Sequence, residues 1–188
     1  MMCEAYLAGL IAADGHINPK DYSITIYTGD LGRAQTIKNM LEKLTCNKVS
    51  IRNHNGAYEV TVTDKKLTLK FSTKYMIPIG RKSEQIILPT TNINKRELLE
   101  FIAGYFDGDG SIYRRIHRAR DGRIRVYYEV KVKSKSLYFL NQLRNLLASY
   151  NIVSRVKVYK NMIPYLVVSR KGDVIRFFRI FKPRFKNL

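Results

Sequence analysis

Two aspartates, Asp14 and Asp109, stand in matching surroundings in the two halves of the sequence. The segments around them read LAGLIAADG at residues 7–15 and IAGYFDGDG at residues 102–110. If the residues before each aspartate form helices that pair in parallel, both carboxylates face the negative ends of the helix dipoles and repel each other. A divalent cation with hard oxygen ligands would relieve this repulsion. One Asp-Gly pair is a common turn dipeptide, but two copies in matching contexts on a basic chain predict a site that holds metal against a phosphate.

The residues before each aspartate predict a buried helix. In the first copy, apolar residues surround the whole circumference of the helix, which is typical of an element covered on all sides. Small residues stand four positions apart, at Gly9 and Ala13 in one copy and at Gly104 and Gly108 in the other. This spacing lets two helix backbones approach closely, and a glycine inside a helix costs about 1 kcal/mol relative to alanine. We therefore predict that the two motif helices pack against each other.

The chain repeats itself at an offset of 95 residues, and the repeat extends beyond the motifs. Alternating and 3.6-residue hydrophobic patterns predict the order αββαββα in each half, with Asp30 and Ser136 capping the second helices. Gly15 and Gly110, which end the motifs, suit the left-handed conformation that often follows a helix. The predicted fold is α+β, with two pseudo-symmetric halves and two antiparallel sheets that form a saddle. The predicted boundaries are 1–88 for the first half, 89–95 for the linker and 96–188 for the second half.

The charge of the chain indicates a polyanionic partner. Thirty-four Lys and Arg against 15 Asp and Glu give a formal net charge of +19, while 45 % of the residues are hydrophobic, enough for a packed core. The longest apolar run, residues 5–13, is too short to span a bilayer. Two cysteines without clustered histidines predict neither a zinc site nor a disulfide framework, and they favour an intracellular location.

Basic and aromatic residues alternate with apolar ones along several predicted strands, which is typical of a sheet face that lies in the major groove of DNA. The second half carries most of the charge, +15 against +4 for residues 1–94. Its arginines crowd a predicted hairpin loop at residues 121–122, which we expect to reach phosphate. The predicted contacts in the first half are Ser23, Thr25, Tyr27, Lys48 and Arg52; those in the second half are Arg114, Arg115, Arg118, Arg120, Arg123, Arg125, Tyr127, Lys131, Lys133, Arg155, Lys157 and Tyr159.

The two motifs resemble those of the LAGLIDADG homing endonucleases, in the single-chain form that carries both copies. The length is similar to that of members encoded in archaeal ribosomal-RNA introns, and the resemblance covers nearly the whole chain. It implies a monomer that hydrolyses both strands of a long double-stranded DNA target, the intron-insertion site, and leaves short 3′ overhangs. It also implies Mg²⁺, with about two or three divalent ions at the helix ends and Mn²⁺ as a substitute.

The same resemblance assigns roles to individual residues. Asp14 and Asp109 match the aspartate that binds the catalytic metal, and the carbonyl groups of Ala13 and Gly108 match its additional ligands.

Lys82 and Lys186 occupy places equivalent to the basic residue that the family has near each scissile phosphate. The sixth motif position departs from the family pattern, because Ala12 replaces the aspartate that Asp107 keeps. We therefore do not expect Asp107 to be essential.

Two functions other than cleavage fit the same scaffold. The chain could assist the splicing of its intron RNA as a maturase, or it could bind DNA without cutting it. Retention of both aspartates favours cleavage, because a protein that only binds gains nothing from them.

Overall fold

The computed structural model describes residues 2–118 and 122–186. Within this part of the chain, both halves have the order αββαββα, which confirms the predicted α+β fold. The first half contains α1 (Met2–Asp14), β1 (Gly15–Ile17), β2 (Ser23–Thr28), α2 (Leu31–Glu42), β3 (Val49–His54), β4 (Ala57–Thr63) and α3 (Lys65–Lys74). The second contains α4 (Lys95–Asp109), β5 (Gly110–Arg118), β6 (Ile124–Lys133), α5 (Leu137–Ser149), β7 (Arg155–Lys157), β8 (Tyr165–Val168) and α6 (Lys171–Phe181).

Each half folds its four strands into one antiparallel sheet, with the same strand order. The first sheet is ordered β1-β2-β4-β3 and the second β5-β6-β8-β7. One face of each sheet is apolar and packs on the helices of its own half. Val60 and Val62 of the first sheet and Val130 and Val132 of the second belong to one continuous core. The opposite faces carry the polar side chains that alternate with these residues.

Local sequence signals explain where several elements begin and turn. The side chain of Asp30 accepts a hydrogen bond from the amide of Arg33, and Ser136 does the same for Phe139, so both predicted helix caps are confirmed. Asn94 and Glu97 form a capping box at the start of α4. The β3–β4 hairpin turns at residues 55–56, whose positive φ angles of 52° and 86° are typical of a tight Asn-Gly turn.

The two motif helices, α1 and α4, pack in parallel through the middle of the molecule. A methyl group added at Gly9 would lie 1.9 Å from the carbonyl oxygen of Phe101, and one added at Gly104 would lie 2.0 Å from that of Tyr6. Backbone therefore touches backbone at both positions, which explains why each helix tolerates a glycine in its interior. The predicted pairing of the motif helices is confirmed. In the described ranges, no helix has the length and hydropathy needed to cross a membrane.

The β5–β6 hairpin extends beyond the core. Ile124, Val126 and Tyr128 share a strand face with Val130 and Val132, which are buried. Ile124 is instead 62 % exposed, and the other two are also exposed. The reason is that β8 pairs only with residues 130–133 of β6, so the rest of the hairpin extends beyond the sheet and the core.

Candidate active site

Asp14 and Asp109 are the last residues of α1 and α4, and each is followed at once by the first strand of a sheet. The ends of the two helices meet closely, since a methyl group at Gly108 would lie 2.4 Å from Cβ of Ala13 and 3.2 Å from Oδ2 of Asp14. The fold therefore brings both carboxylates to one place, between the polar faces of the two sheets. A cleft of about 180 Å³ opens beside Asp109 and joins residues of both halves.

The glycines that follow the aspartates serve a different purpose from the one predicted. Gly110 has φ −82° and ψ 161°, and Gly15 is not among the residues with positive φ, so the predicted left-handed conformation is wrong for both. A side chain is excluded by space instead. A methyl group at Gly15 would lie 2.6 Å from Cα of Ile11, and one at Gly110 would lie 2.1 Å from the ring of Phe106. At both positions the backbone thus passes directly from helix into strand and packs against the last turn of the helix.

Lys82 reaches the end of α1 from the segment between α3 and α4. Its Nζ donates hydrogen bonds to the carbonyl oxygens of Ile11, Ala12 and Ala13, at 2.8 Å for Ala12 and 2.7 Å for Ala13. These carbonyls lie at the negative end of the helix, where a cation is favoured. The structure therefore places this sequence-predicted lysine directly beside Asp14.

Lys186 occupies the corresponding place at the end of α4. Its Nζ donates to the carbonyl oxygens of Phe106 at 3.2 Å, Gly108 at 2.7 Å and Gly110 at 2.6 Å. Ile11 and Ala13 correspond to Phe106 and Gly108 at the 95-residue offset, so two of the three carbonyls that each lysine binds are equivalent. The centre consequently has two carboxylates and two ammonium groups in a pseudo-symmetric arrangement.

The surroundings disfavour charge on both carboxylates. Burial raises the pKa of the Asp109 carboxyl to about 6, and the charge of Asp14 adds to this shift while Lys82 opposes it. Partial removal of water also raises the pKa of the Asp14 carboxyl, against the opposing charges of Lys186 and Lys82. The electrostatic repulsion that the sequence predicts is therefore present in the folded chain.

Burial has the opposite effect on the lysines, because the charged form of an amine is its protonated form. It lowers the pKa of Lys82 to about 8, although Asp109 and Asp14 favour the charge. It lowers the pKa of Lys186 as well, against the charges of Asp107, Asp14 and Asp109. The Lys82 ammonium therefore loses its proton more readily than that of an ordinary lysine.

The oxygen atoms at the helix ends fit a hard divalent cation. A divalent ion beside the two carboxylates would offset their mutual repulsion and favour their charged forms. The carbonyls of Ala13 and Gly108 accept from the lysines, and each oxygen retains a second lone pair for a ligand bond. Residues 2–118 and 122–186 contain no cluster of three or more His, Cys, Asp or Glu side chains suited to a metal ion. An ion held by Asp14 and Asp109 would therefore complete its coordination shell with other oxygen atoms.

The sequence did not predict how Asp107 is used. It is 4 % exposed, and its Oδ2 accepts from the hydroxyl of Tyr6 at 2.6 Å and from the amides of Arg184 and Phe185 at 2.6 and 3.1 Å. The available signal was its retention in one motif while the other has Ala12. Asp107 thus contacts α1 and the segment that precedes Lys186.

The residues predicted as contacts in the first half differ in how far they are exposed. Cross-strand pairing puts Tyr27 and Arg52 on either side of Glu59, and all three share a face with Thr25. Tyr27 and Arg52 are exposed, as is Lys48, which precedes β3. Thr25 is half-buried and bonds to Thr61.

Ser23 is the least exposed of the predicted contacts in this sheet. Its side chain is buried, and its hydroxyl donates a hydrogen bond to the side chain of Asp21 at 2.8 Å. Its role as a contact stays a prediction.

The second sheet presents a longer polar face, because β5 and β6 form a nine- and ten-residue arm. The arginines of β5 lie on this strand and not in a loop, and they alternate between its faces. Arg115 pairs with Tyr127, whereas Arg114 pairs with Tyr128 and Arg118 with Ile124. Arg114 and Arg118 therefore lie on the face opposite to the predicted contact surface, which corrects the expectation that all the arginines crowd one loop. The strand register places the following predicted residues on the same face as Arg115: Arg125, Tyr127, Lys131, Lys133, Arg155 and Lys157.

Three further residues of the predicted surface complete this description. Tyr159 is half exposed and stacks near Tyr165, with ring centroids 6.3 Å apart. Arg123 is exposed and lies immediately before β6. Arg120 lies outside the described residues. The role of all these side chains in binding stays a prediction.

The family model described as a LAGLIDADG-like domain matches residues 2–75 and 96–182. No curated protein sequence matches the chain. Solved structures that it resembles include variants of the homing endonuclease I-DmoI, with a TM-score of 0.69, 18 % identity and 98 % coverage of both chains. I-DmoI in complex with DNA and Mn gives a TM-score of 0.69 and 17 % identity, over 100 % of this chain and 98 % of that one. I-SmaMI bound to uncleaved DNA with calcium ions gives a TM-score of 0.67 and 13 % identity, over 96 % of this chain and 85 % of that one.

Proposed function

Because the chain belongs to the LAGLIDADG-like domain family, we propose that it is a monomeric, site-specific endonuclease that hydrolyses both strands of a long DNA duplex with a divalent metal. The observation that carries this proposal is the pairing of Asp14 and Asp109 at the meeting ends of α1 and α4, each beside a buried lysine. Carboxylates whose charge is disfavoured by burial and by each other are costly to the fold, so their presence in both copies indicates a chemical purpose.

The proposed metal ligands are the carboxylates of Asp14 and Asp109, with the carbonyl groups of Ala13 and Gly108. A divalent ion held there would favour ionisation of a bound water and stabilise negative charge on the attacking and leaving oxygens of a phosphodiester. Two protein carboxylates do not fill the coordination shell of such an ion, which leaves positions for phosphate oxygens and water. Mg²⁺ is the expected ion, with Mn²⁺ as a substitute.

The two lysines supply positive charge next to each carboxylate. Each lysine is fixed by three hydrogen bonds to backbone carbonyls, so it needs no rearrangement when a phosphate arrives, and such preorganised charge stabilises a developing anion. Because burial lowers the pKa of Lys82 to about 8, its ammonium group can also donate a proton more readily than that of an ordinary lysine. We propose that Lys82 assists cleavage of one DNA strand and Lys186 cleavage of the other.

The two polar sheet faces provide the surface for duplex DNA. Both begin at the residue after a catalytic aspartate, so a duplex lying along them passes over the metal site. The net charge of +19 favours such a partner through its phosphates. I-DmoI and I-SmaMI, which share the fold, have been crystallised with DNA and with Mn or calcium ions. We propose that the target is the insertion site of an intron, cut with short 3′ overhangs, inside the cell.

The direct test is incubation of the protein with end-labelled DNA that spans the intron-insertion junction. We expect cuts on both strands in Mg²⁺ and none in a chelator, and the fragment ends would give the overhang. If the protein binds this DNA tightly but cuts it with none of the divalent ions tested, the endonuclease proposal is contradicted and a protein that only binds DNA is favoured.

The intron RNA maturase is the second candidate from the sequence, and the basic surface does not distinguish it. Splicing assays with precursor RNA separate the two functions. Accelerated splicing by a protein that leaves the insertion-site DNA intact would favour the maturase.

A further inference from the structure

The segment at residues 183–186 contacts both halves of the molecule before it delivers Lys186 to the site. After α6, Lys182 takes a left-handed conformation with φ 48°, and the chain turns back towards α4. The guanidinium of Arg184 lies 4.1 Å from the ring centroid of Tyr6 and 2.8 Å from Oε2 of Glu100. The carbonyl of Phe185 accepts from Arg33 at 3.1 Å. The segment therefore spans α1, α2 and α4.

One buried oxygen holds the backbone of this segment. Oδ2 of Asp107 accepts from the consecutive amides of Arg184 and Phe185 and from the hydroxyl of Tyr6. Hydrogen bonds to an ionisable carboxyl group in a buried setting are stronger than those between neutral groups. These amides immediately precede Lys186, so a change in their position moves its amine.

The first half positions its lysine without such a carboxylate, since its motif has Ala12 at the equivalent place. Lys82 is flanked by buried apolar side chains on both sides, Ile77 before it and Ile86 after it. The nearby amide of Gly80 also donates to the carbonyl of Ile17 at 2.8 Å. Hydrophobic burial on both sides replaces the carboxylate that anchors the Lys186 segment.

We propose that Asp107 is a positioning residue, which holds residues 183–186 so that Lys186 reaches the end of α4 and one of the two strand cuts can proceed. The role rests on the proposed function. Asp107 acts through Lys186 and does not touch the reacting atoms. It therefore supports cleavage of the Lys186 strand and leaves cleavage of the Lys82 strand unaffected.

The experiment compares the two nicking rates within the same DNA molecules, each strand carrying its own label. Lys186→Met identifies the strand that depends on Lys186, and Lys82→Met identifies the other. We expect Asp107→Ala to slow the Lys186-dependent cut by about 10²-fold, the loss typical of a misplaced catalytic group, while the other cut keeps its rate. Because both rates come from one sample, a smaller folded fraction lowers them equally and does not imitate the result.

Two further measurements separate positioning from a general structural defect. Combined with Lys186→Met, Asp107→Ala should slow the Lys186-dependent cut little further. Combined with Lys82→Met, it should slow that cut by its full factor, as expected when one residue acts through another. Asp107→Asn keeps an oxygen acceptor and should slow the same cut less. Without DNA or metal, hydrogen exchange should be faster in the peptide containing residues 183–186 of Asp107→Ala and unchanged in the peptide containing Lys82.

Equal slowing of both cuts, or unchanged protection of residues 183–186, would overturn the positioning role. A wild type that cuts neither strand would instead refute the proposed function itself, and the positioning role of Asp107 with it.

Discussion

Gly104→Ala tests the close contact between the motif helices. The added methyl group would lie 2.0 Å from the carbonyl oxygen of Tyr6 and 3.0 Å from the amide nitrogen of Leu10. Both atoms belong to the backbone of α1, so no side-chain rotation relieves the clash. An ordinary carbon–oxygen contact needs more than about 3 Å, and the helices must separate by about 1 Å to provide it.

The expected net loss follows from two opposing effects. Alanine gains about 1 kcal/mol over glycine in a helix interior, whereas overpacking a well-filled interface costs about 1–3 kcal/mol and sometimes more. Because the clash involves backbone, we expect the cost to reach or exceed the upper end, and the free energy of unfolding to fall by about 2 kcal/mol. In a chain of this length that corresponds to a Tm lower by about 4–8 °C.

Gly172→Ala is the matched control for thermal unfolding followed by circular dichroism. Gly172 also lies in a helix, but a methyl group there has no heavy atom within 4 Å. The same chemical change should leave the Tm unchanged or raise it by a few degrees, through a gain of up to about 1 kcal/mol. If Gly104→Ala melts at or above the wild-type temperature while Gly172→Ala behaves as expected, the two helices do not touch at this position.

Three other predictions concern the charges of the molecule. Without metal, Asp109→Asn should raise the free energy of unfolding at pH 7. The pKa of this carboxyl is about 6 in the folded chain against an ordinary value of 3.8, so its ionisation disfavours the folded state. The gain should shrink as the pH falls from 6 to 4, and denaturant titrations at pH 4 and pH 7 would measure it. DNA affinity should fall by about 10³–10⁵ between roughly 50 and 200 mM salt if about 6–10 phosphates are contacted, and affinity independent of salt would contradict the polyanion interpretation. Arg125→Ala should cost roughly 1–3 kcal/mol for the target and relax the sequence preference if this residue reads a base; equal weakening on all sequences would identify a phosphate contact.

The sequence predicts the features that depend on local periodicity. The motif helices, their pairing through Gly9 and Gly104, and the αββαββα order follow from apolar patterns and from the spacing of small residues, and the structure confirms them. The pairing of Lys82 and Lys186 with the motif ends came from resemblance to a known family, because their distance along the chain from the motifs gives no local signal.

The features that could not be predicted depend on tertiary contacts. The bonds from Arg184 and Phe185 to Asp107 join residues 77 and 78 positions apart, and no periodic pattern marks such a pair. The alternation along β6 predicts its two faces but not where β8 stops pairing, so it does not indicate that Ile124 leaves the core. For Gly15 and Gly110, sequence identifies the need for glycine but not its cause, which is steric crowding rather than a positive φ.

The most direct test of the central claim is strand-resolved cleavage by Asp14→Asn and Asp109→Asn in Mg²⁺, beside target binding measured without it. Asparagine keeps the shape and one oxygen but removes the charge that holds a divalent cation, so both variants should lose double-strand cleavage. Binding should remain or become slightly tighter, since each change removes a negative charge close to phosphate. Cleavage of both strands at the wild-type rate by both variants would contradict a metal centre built on Asp14 and Asp109.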